Sequence, residues 1–205
     1  GPFTVADFQP GHSLKLARSD TYHDTKAASN VVEFMQYSDA DALSKALTDG
    51  SLDMAAPVSA STATGLNGKD GLTVKEGATT DKVLLAYNNG TDSLLSDEQA
   101  RKAFRYQIDA AGIASAQPDA AGALGGPISL LEPGYEDLTG LYPHDENQAG
   151  QMFSYFGAQY LTTVNLVVPE EYRSLAETIK QQIERQPRPT VNLEVLSDED
   201  YAKRI

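Results

Sequence analysis

The segment Leu95-Ser-Asp-Glu-Gln-Ala-Arg-Lys-Ala-Phe-Arg-Tyr-Gln-Ile-Asp109 decides the fold class of this chain. It follows a short apolar run, Lys82-Val-Leu-Leu-Ala-Tyr-Asn88-Asn89, which reads as a strand. Ser96 is placed to cap the helix, and Gln99 three residues on completes a capping box. Ala100, Ala103, Phe104 and Ile108 then recur at helical spacing and form one apolar stripe. Strand, loop and amphipathic helix together point to an α/β protein.

Outward from this segment the pattern continues. Strands are expected at 3–8, 13–17 and 31–37, with Gln9-Pro-Gly11 as a turn between the first two. Both alternating sets of the third strand contain apolar residues, which predicts a strand covered on both faces. A helix is expected over 38–49, with Ser38 and Asp41 as its capping box and Gly50 as its stop. Residues 56–71 are rich in Ser, Thr and Gly and read either as a short weak helix with loops or as a mobile surface stretch. Strands come next at 72–76 and 82–88, and residues 110–139 form the longest irregular stretch. The last third reads as a helix over 145–156, a strand over 161–168, a helix over 169–186 opening on Pro169, and a strand over 190–196. Tyr172, Leu175, Ala176, Ile179 and Ile183 form the stripe of that last helix. This order predicts a right-handed crossover and a parallel strand pair. A further helix starts at Ser197-Asp-Glu-Asp200.

Composition narrows the function. The 205 residues carry a formal net charge of −13 and are 40% hydrophobic, enough for a packed core. The acidic balance argues against a nucleic-acid partner, which needs basic patches, and against anionic membrane surfaces. The chain has no cysteine, so disulfides, thiolate metal sites and a cysteine nucleophile are excluded. No apolar run approaches the length of a membrane span. His12, His23 and His144 lack the spacing of a metal pair and read as surface residues. There is no G-x-S-x-G elbow, so a serine hydrolase is disfavoured. Gly122-Ala-Leu-Gly125-Gly126 lacks the Lys-Ser/Thr of a phosphate loop. The acidic pairs Asp39/Asp41 and Asp97/Glu98 sit in first helical turns, where carboxylates complement the helix dipole. Arg101 and Arg105, four apart, read as a solvated face or a local ion pair.

Several segments, taken in order, carry a resemblance. Gly1-Pro-Phe-Thr-Val5 resembles a "GTGPY" strand without its first two residues. Ser13-Leu-Lys-Leu-Ala-Arg-Ser-Asp-Thr-Tyr22 resembles "L-x-L-x-R-N-x-x-Y". The helix after Tyr37 ends in Gly50-Ser-Leu-Asp53, similar to "sG-x-x-D". Gly126-Pro127-Ile128 stands where a "G-P-I" loop is expected. Leu141-Tyr-Pro-His-Asp-Glu-Asn-Gln-Ala149 resembles "Y-d-P-e-k-A", leading into a helix with Met152-Phe153 and Gly157. With the 95–109 helix these resemble family 5 extracellular solute-binding proteins, the receptors of peptide-type ABC importers. Ala110 departs from the pattern, which has a basic residue there.

The resemblance implies a mixed α/β, type II periplasmic-binding-protein-like fold, here an incomplete central part of a longer receptor. Residues 1–80 would belong to a first lobe and 81–205 to a second, with a strand near 82–89 crossing between them. It implies capture of di- or oligopeptides by lobe closure and delivery to a membrane ABC permease. It implies no catalysis, no cofactor and no metal. An extracellular or periplasmic location is implied too, with a lipoprotein anchor in the intact protein. Nickel, haem and oligosaccharide receptors also occur in the family, and a hydrolytic enzyme is the reading from another class. Tyr87, Asn88, Asn89, Gly126, Pro127 and Ile128 are the candidate ligand-binding residues. Asn88-Asn89-Gly90 is equally a simple turn, and the glycine-rich loop is equally a surface loop.

Overall fold

The computed structural model describes residues 1–155 and 157–205, without the side chains of 157 and 158. Two compact units are present, Gly1–Lys75 and Glu76–Ile205.

The first unit is a three-stranded antiparallel meander with two short helices after it. β1 (Phe3–Gln9), β2 (Ser13–Arg18) and β3 (Val31–Met35) lie in sequence order. Gly11, at φ +76°, supplies the left-handed residue of the first hairpin, where His12 N–H donates to the Gln9 carbonyl at 3.0 Å. The register aligns Phe8, Leu14 and Phe34 in one row across the sheet, and Val5, Leu16 and Val32 in another. Within this chain the expected cover on both sides of β3 is not found: Val31, Phe34 and Met35 are all about half exposed. Periodicity reports the apolar content of a strand; what covers it is a tertiary matter.

α1 (Ala40–Thr48) begins later than expected. Asp39, not Ser38, is its N-cap, its carboxylate accepting from Ala42 N–H at 2.7 Å. α2 (Ala60–Leu66) forms in the weak 56–71 stretch because Ser59 caps it and Thr62 and Leu66 are buried.

In the second unit the decisive segment folds as a 3₁₀ turn, Leu94–Ser96, and then α3 (Glu98–Gln107). The cap is Asp97, accepting from Gln99 N–H at 2.7 Å, rather than Ser96. A carboxylate at that place satisfies an orphan amide and adds a favourable charge–dipole term. Arg101 is not merely solvated, since its guanidinium donates to the Leu95 and Ser96 carbonyls at 2.7 and 2.8 Å. α4 (Ala110–Ser115), capped by Asp109, occupies the start of the stretch expected to be irregular. α5 (Glu146–Ser154) is capped by Asp145. Phe156, at which that helix was expected to end, lies outside the described residues.

β4 (Thr163–Pro169) and β5 (Thr190–Leu196) pair in parallel, joined through α6 (Arg173–Ile183), as the strand–helix–strand order predicts. Pro169 closes the strand instead of opening the helix; a 3₁₀ turn, Glu170–Tyr172, stands between them. The end of α6 also clamps the start of β5. Glu184 accepts from Val191 N–H at 2.8 Å, and Lys180 donates to the Val191 carbonyl at 2.7 Å. α7 (Asp198–Arg204) ends the chain, with Ser197 as its cap.

The core of the second unit lies where α3 meets α5. Ala100, Ala103 and Ala149 are fully buried and let the helices approach closely. The gap is filled by Phe104 and Phe153, edge to face with centroids 5.1 Å apart, and by Met152, Leu161, Ile183 and Val191. Residues 72–76 and 82–88, expected as strands, form no ladder among the described residues. A strand requires a neighbouring backbone to complete its ladder, and an apolar sequence cannot supply one.

Candidate functional site

The candidate residues fall into two groups, both in the second unit. Tyr87 ends the apolar 82–87 run and turns its ring toward Phe104, with centroids 6.0 Å apart. It packs against the core cluster. Burial pushes its phenol up to about 12, with Arg105 and Arg101 pulling weakly the other way. Tyr87 is therefore a neutral hydroxyl at physiological pH, and its partly buried ring anchors the chain immediately before the Asn pair. Asn88 and Asn89 are exposed. The Asn88 side-chain oxygen accepts from Gly90 N–H at 2.9 Å, which is the Asx turn that Asn-Asn-Gly allows. The structure thus shows the turn at Asn88 and leaves Asn89 on the surface.

The second group is a loop whose ends meet. Gly125 sits so close to the backbone of Leu138 and Thr139 that a Cβ there would lie within 3.0 Å of both. Only glycine permits that approach without displacement. The 125–139 segment is thereby closed into a compact Ω-type loop rather than an open linker. Gly126 is half-buried, while Pro127 and Ile128 are exposed.

Lys82 joins the loop to the apolar run. Its ammonium donates to the Pro127 carbonyl at 2.8 Å and pairs with the Glu132 carboxylate. Glu132 in turn accepts from Ser129 N–H at 2.7 Å, while its own N–H donates to the Ser129 carbonyl at 2.9 Å. The sequence reading uses Lys82 only as the first residue of a strand and does not single out Glu132. These residues are 50 positions apart, so no local spacing could have paired them. The two candidate groups stand at opposite ends of the run. Asn88 lies six positions after Lys82, a reach of up to about 20 Å.

The Glu132 carboxyl is lowered to about 2, first by the Lys82 ammonium and then by the Ser129 amide. A depressed carboxyl stabilises the fold above its unfolded value, near 4.3, and loses that contribution as pH falls toward the folded value. The expected result is that this contribution is full above about pH 4, shrinks below it, and is gone only near the folded value of about 2, where the carboxylate is protonated and the loop loosens. NMR titration of the Glu132 carboxyl carbon checks this: a midpoint near 2 agrees, and a midpoint at the ordinary glutamate value contradicts it.

Other chemistry is sparse. Among the described residues no group of three or more His, Asp or Glu side chains could hold a metal ion. His12, His23 and His144 are exposed, and His144 lies 3.6 Å from Glu146. Among the same residues no helix is long and apolar enough to cross a membrane.

The fold is shared with solved structures of low sequence identity. The oligopeptide-binding protein AppA from Bacillus subtilis, solved with a nonapeptide, matches with a TM-score of 0.65 at 18% identity, over 99% of this chain and 43% of AppA. NikA from Brucella suis, solved with Fe(III)-EDTA, matches with a TM-score of 0.76 at 16% identity, over 100% of this chain and 45% of NikA. DppA from Helicobacter pylori, solved with the peptide STSA, gives 0.73 at 16% identity, over 100% of this chain and 40% of DppA. The chain thus spans less than half the length of each, and its fold is periplasmic-binding-protein-like. Comparison with curated proteins gave no match. The family model described as "Bacterial extracellular solute-binding proteins, family 5 Middle" matches residues 1–204, and the chain belongs to that family.

Proposed function

We propose that this chain is the central part of a receptor that captures di- or oligopeptides for an ABC importer and hands them to a membrane permease. The observation that carries this reading is the family match over residues 1–204, on a fold shared with proteins solved with a nonapeptide and with STSA. The local geometry supports it. The 82–89 run pairs with no strand among the described residues and exposes Val83, Leu84 and Leu85. A backbone with free amides and carbonyls can bind an extended peptide backbone irrespective of side chains. The exposed Asn89 at one end and the 126–128 loop at the other would bracket such a ligand.

In this reading residues 1–80 contribute to one lobe and 81–205 to the other, and the lobes close on the ligand by hinge motion. The peptide leaves unchanged, so no catalytic group is assigned. The receptor works outside the cytoplasmic membrane, held there as a lipoprotein.

Native mass spectrometry of the intact receptor, purified without refolding, tests the ligand class. Co-purified species in the mass range of short peptides are expected, and adding a peptide pool should raise Tm by mass action. Bound nickel, haem or an oligosaccharide in place of peptide would overturn the assignment, and cleavage of the added peptides would overturn the receptor reading itself.

A further inference from the structure

We propose that Lys82 is the positioning residue of this site: its contacts to Pro127 and Glu132 fasten the 126–132 loop to the 82–89 run, so that both ends of the site are carried as one body. The inference rests on the reading of 82–89 and 126–128 as ligand-facing. It adds a residue that touches no ligand and acts through the loop.

Closure of Gly125 onto Leu138 and Thr139 fixes the feet of the loop but not its crown. The crown carries Ile128, Leu130 and Leu131, which are 41%, 66% and 56% exposed and so provide little packing to hold it. Its order comes from polar contacts instead. The Glu132 side chain and backbone bridge to Ser129 and close a small ring, and Lys82 reaches that ring through Glu132 and reaches Pro127 directly. Lys82 and Glu132 are only 22% and 35% exposed at the side chain, so solvent and salt screen this pair less than an ordinary surface pair. The ammonium satisfies a carbonyl and a carboxylate at once, and both belong to the loop. Tyr87, partly buried against Phe104, anchors the other end of the run. Lys82 therefore fixes where the Gly126, Pro127 and Ile128 backbone stands relative to Asn88 and Asn89.

Two measurements test this, one without ligand. In the 205-residue chain, hydrogen–deuterium exchange of 127–132 should accelerate roughly ten- to hundredfold in Lys82→Met, the range expected for losing hydrogen bonds to a charged group. Lys82→Arg should restore most of the protection, whereas the exchanged pair of Lys82→Glu with Glu132→Lys should not, because it removes both the donor to the Pro127 carbonyl and the acceptor for Ser129 N–H. Protection in α3 and α5 should stay unchanged in all of them. Unaltered exchange at 127–132 in Lys82→Met, or loss of protection throughout the unit, would overturn the proposal; Glu132→Gln serves as the second variant.

In the intact receptor, a synthetic pool of tri- to hexapeptides should dissociate about tenfold faster from Lys82→Met than from wild type, with recovery in Lys82→Arg. Faster exchange with unchanged peptide release would remove Lys82 and the loop from the site. If wild type binds no peptide, the proposed ligand class fails, while the exchange data still report separately on the anchor.

Discussion

Replacing Phe153 with alanine is expected to lower the stability of the 76–205 unit by about 3–5 kcal/mol, the usual cost of truncating a buried aromatic. Phe153 is 2% exposed and meets Phe104 edge to face at the α3–α5 crossing. The core around it includes Ala100, Ala103 and Ala149, which have no longer rotamer with which to close the space. The cavity therefore persists, and its cost adds to the lost transfer free energy. In urea, at an m value of about 2 kcal/mol per molar, the midpoint should fall by roughly 1.5–2.5 M. Phe153→Leu should recover more than half of that loss. The two units are separate, so the transition must be followed with probes in each. A midpoint within about 0.3 M of wild type would mean that this aromatic pair is not the centre of the core.

Gln107→Leu should have the next largest effect, a loss of about 1–3 kcal/mol from removing two hydrogen bonds of a buried amide. Gln107 is fully buried although it is polar. Its side-chain amide donates to the Gln182 carbonyl at 2.6 Å, and its oxygen accepts from the Gln186 amide at 2.9 Å. Gln186 also donates to the Glu146 carbonyl, and the Gln182 side chain accepts from Asp109 N–H. One glutamine thus links the end of α3 to the end of α6 and, through Gln186, to α5. Leucine matches its bulk but takes the short partner from the Gln182 carbonyl, leaving it a longer contact from Arg185 N–H at 3.4 Å, and removes one of the two acceptors of the Gln186 amide. A double-mutant cycle with Gln186→Leu should show coupling of about 0.5–3 kcal/mol, because the two side chains share a hydrogen bond. Strict additivity of the two substitutions would show that they do not share a network.

The same residue marks the limit of a periodic reading. Helical spacing identifies Ala100, Ala103 and Phe104 as the buried stripe and continues it to Ile108. In the structure the fourth buried position of α3 is Gln107, and Ile108 is the C-cap. Hydropathy assigns glutamine to water. It is buried because two partners, 75 and 79 residues away, satisfy its amide, and a local pattern holds no record of them. The helix caps show a different, local ambiguity. Ser38-Asp39 and Ser96-Asp97 each offer two capping residues, and the aspartate caps in both helices.

For the candidate site, residue chemistry located the Asn-Asn-Gly turn and the glycine-bearing loop but could not join them. The Asx turn at Asn88 is a contact over two residues, so composition predicts it. The Lys82–Glu132 pair is a contact over 50 residues, so nothing local does.

What this chain's sequence settled by itself is the set of elements whose causes are local: the β1–β2 hairpin about Gly11, the capped helices, the parallel strand pair joined by α6, and the ordered motifs of its family. Tertiary structure alone decided which apolar segments became strands, that a glutamine belongs in the core and that a lysine holds a distant loop. Local choices arise from torsions and hydrogen bonds within a few residues, whereas the others depend on partners that only folding brings within reach.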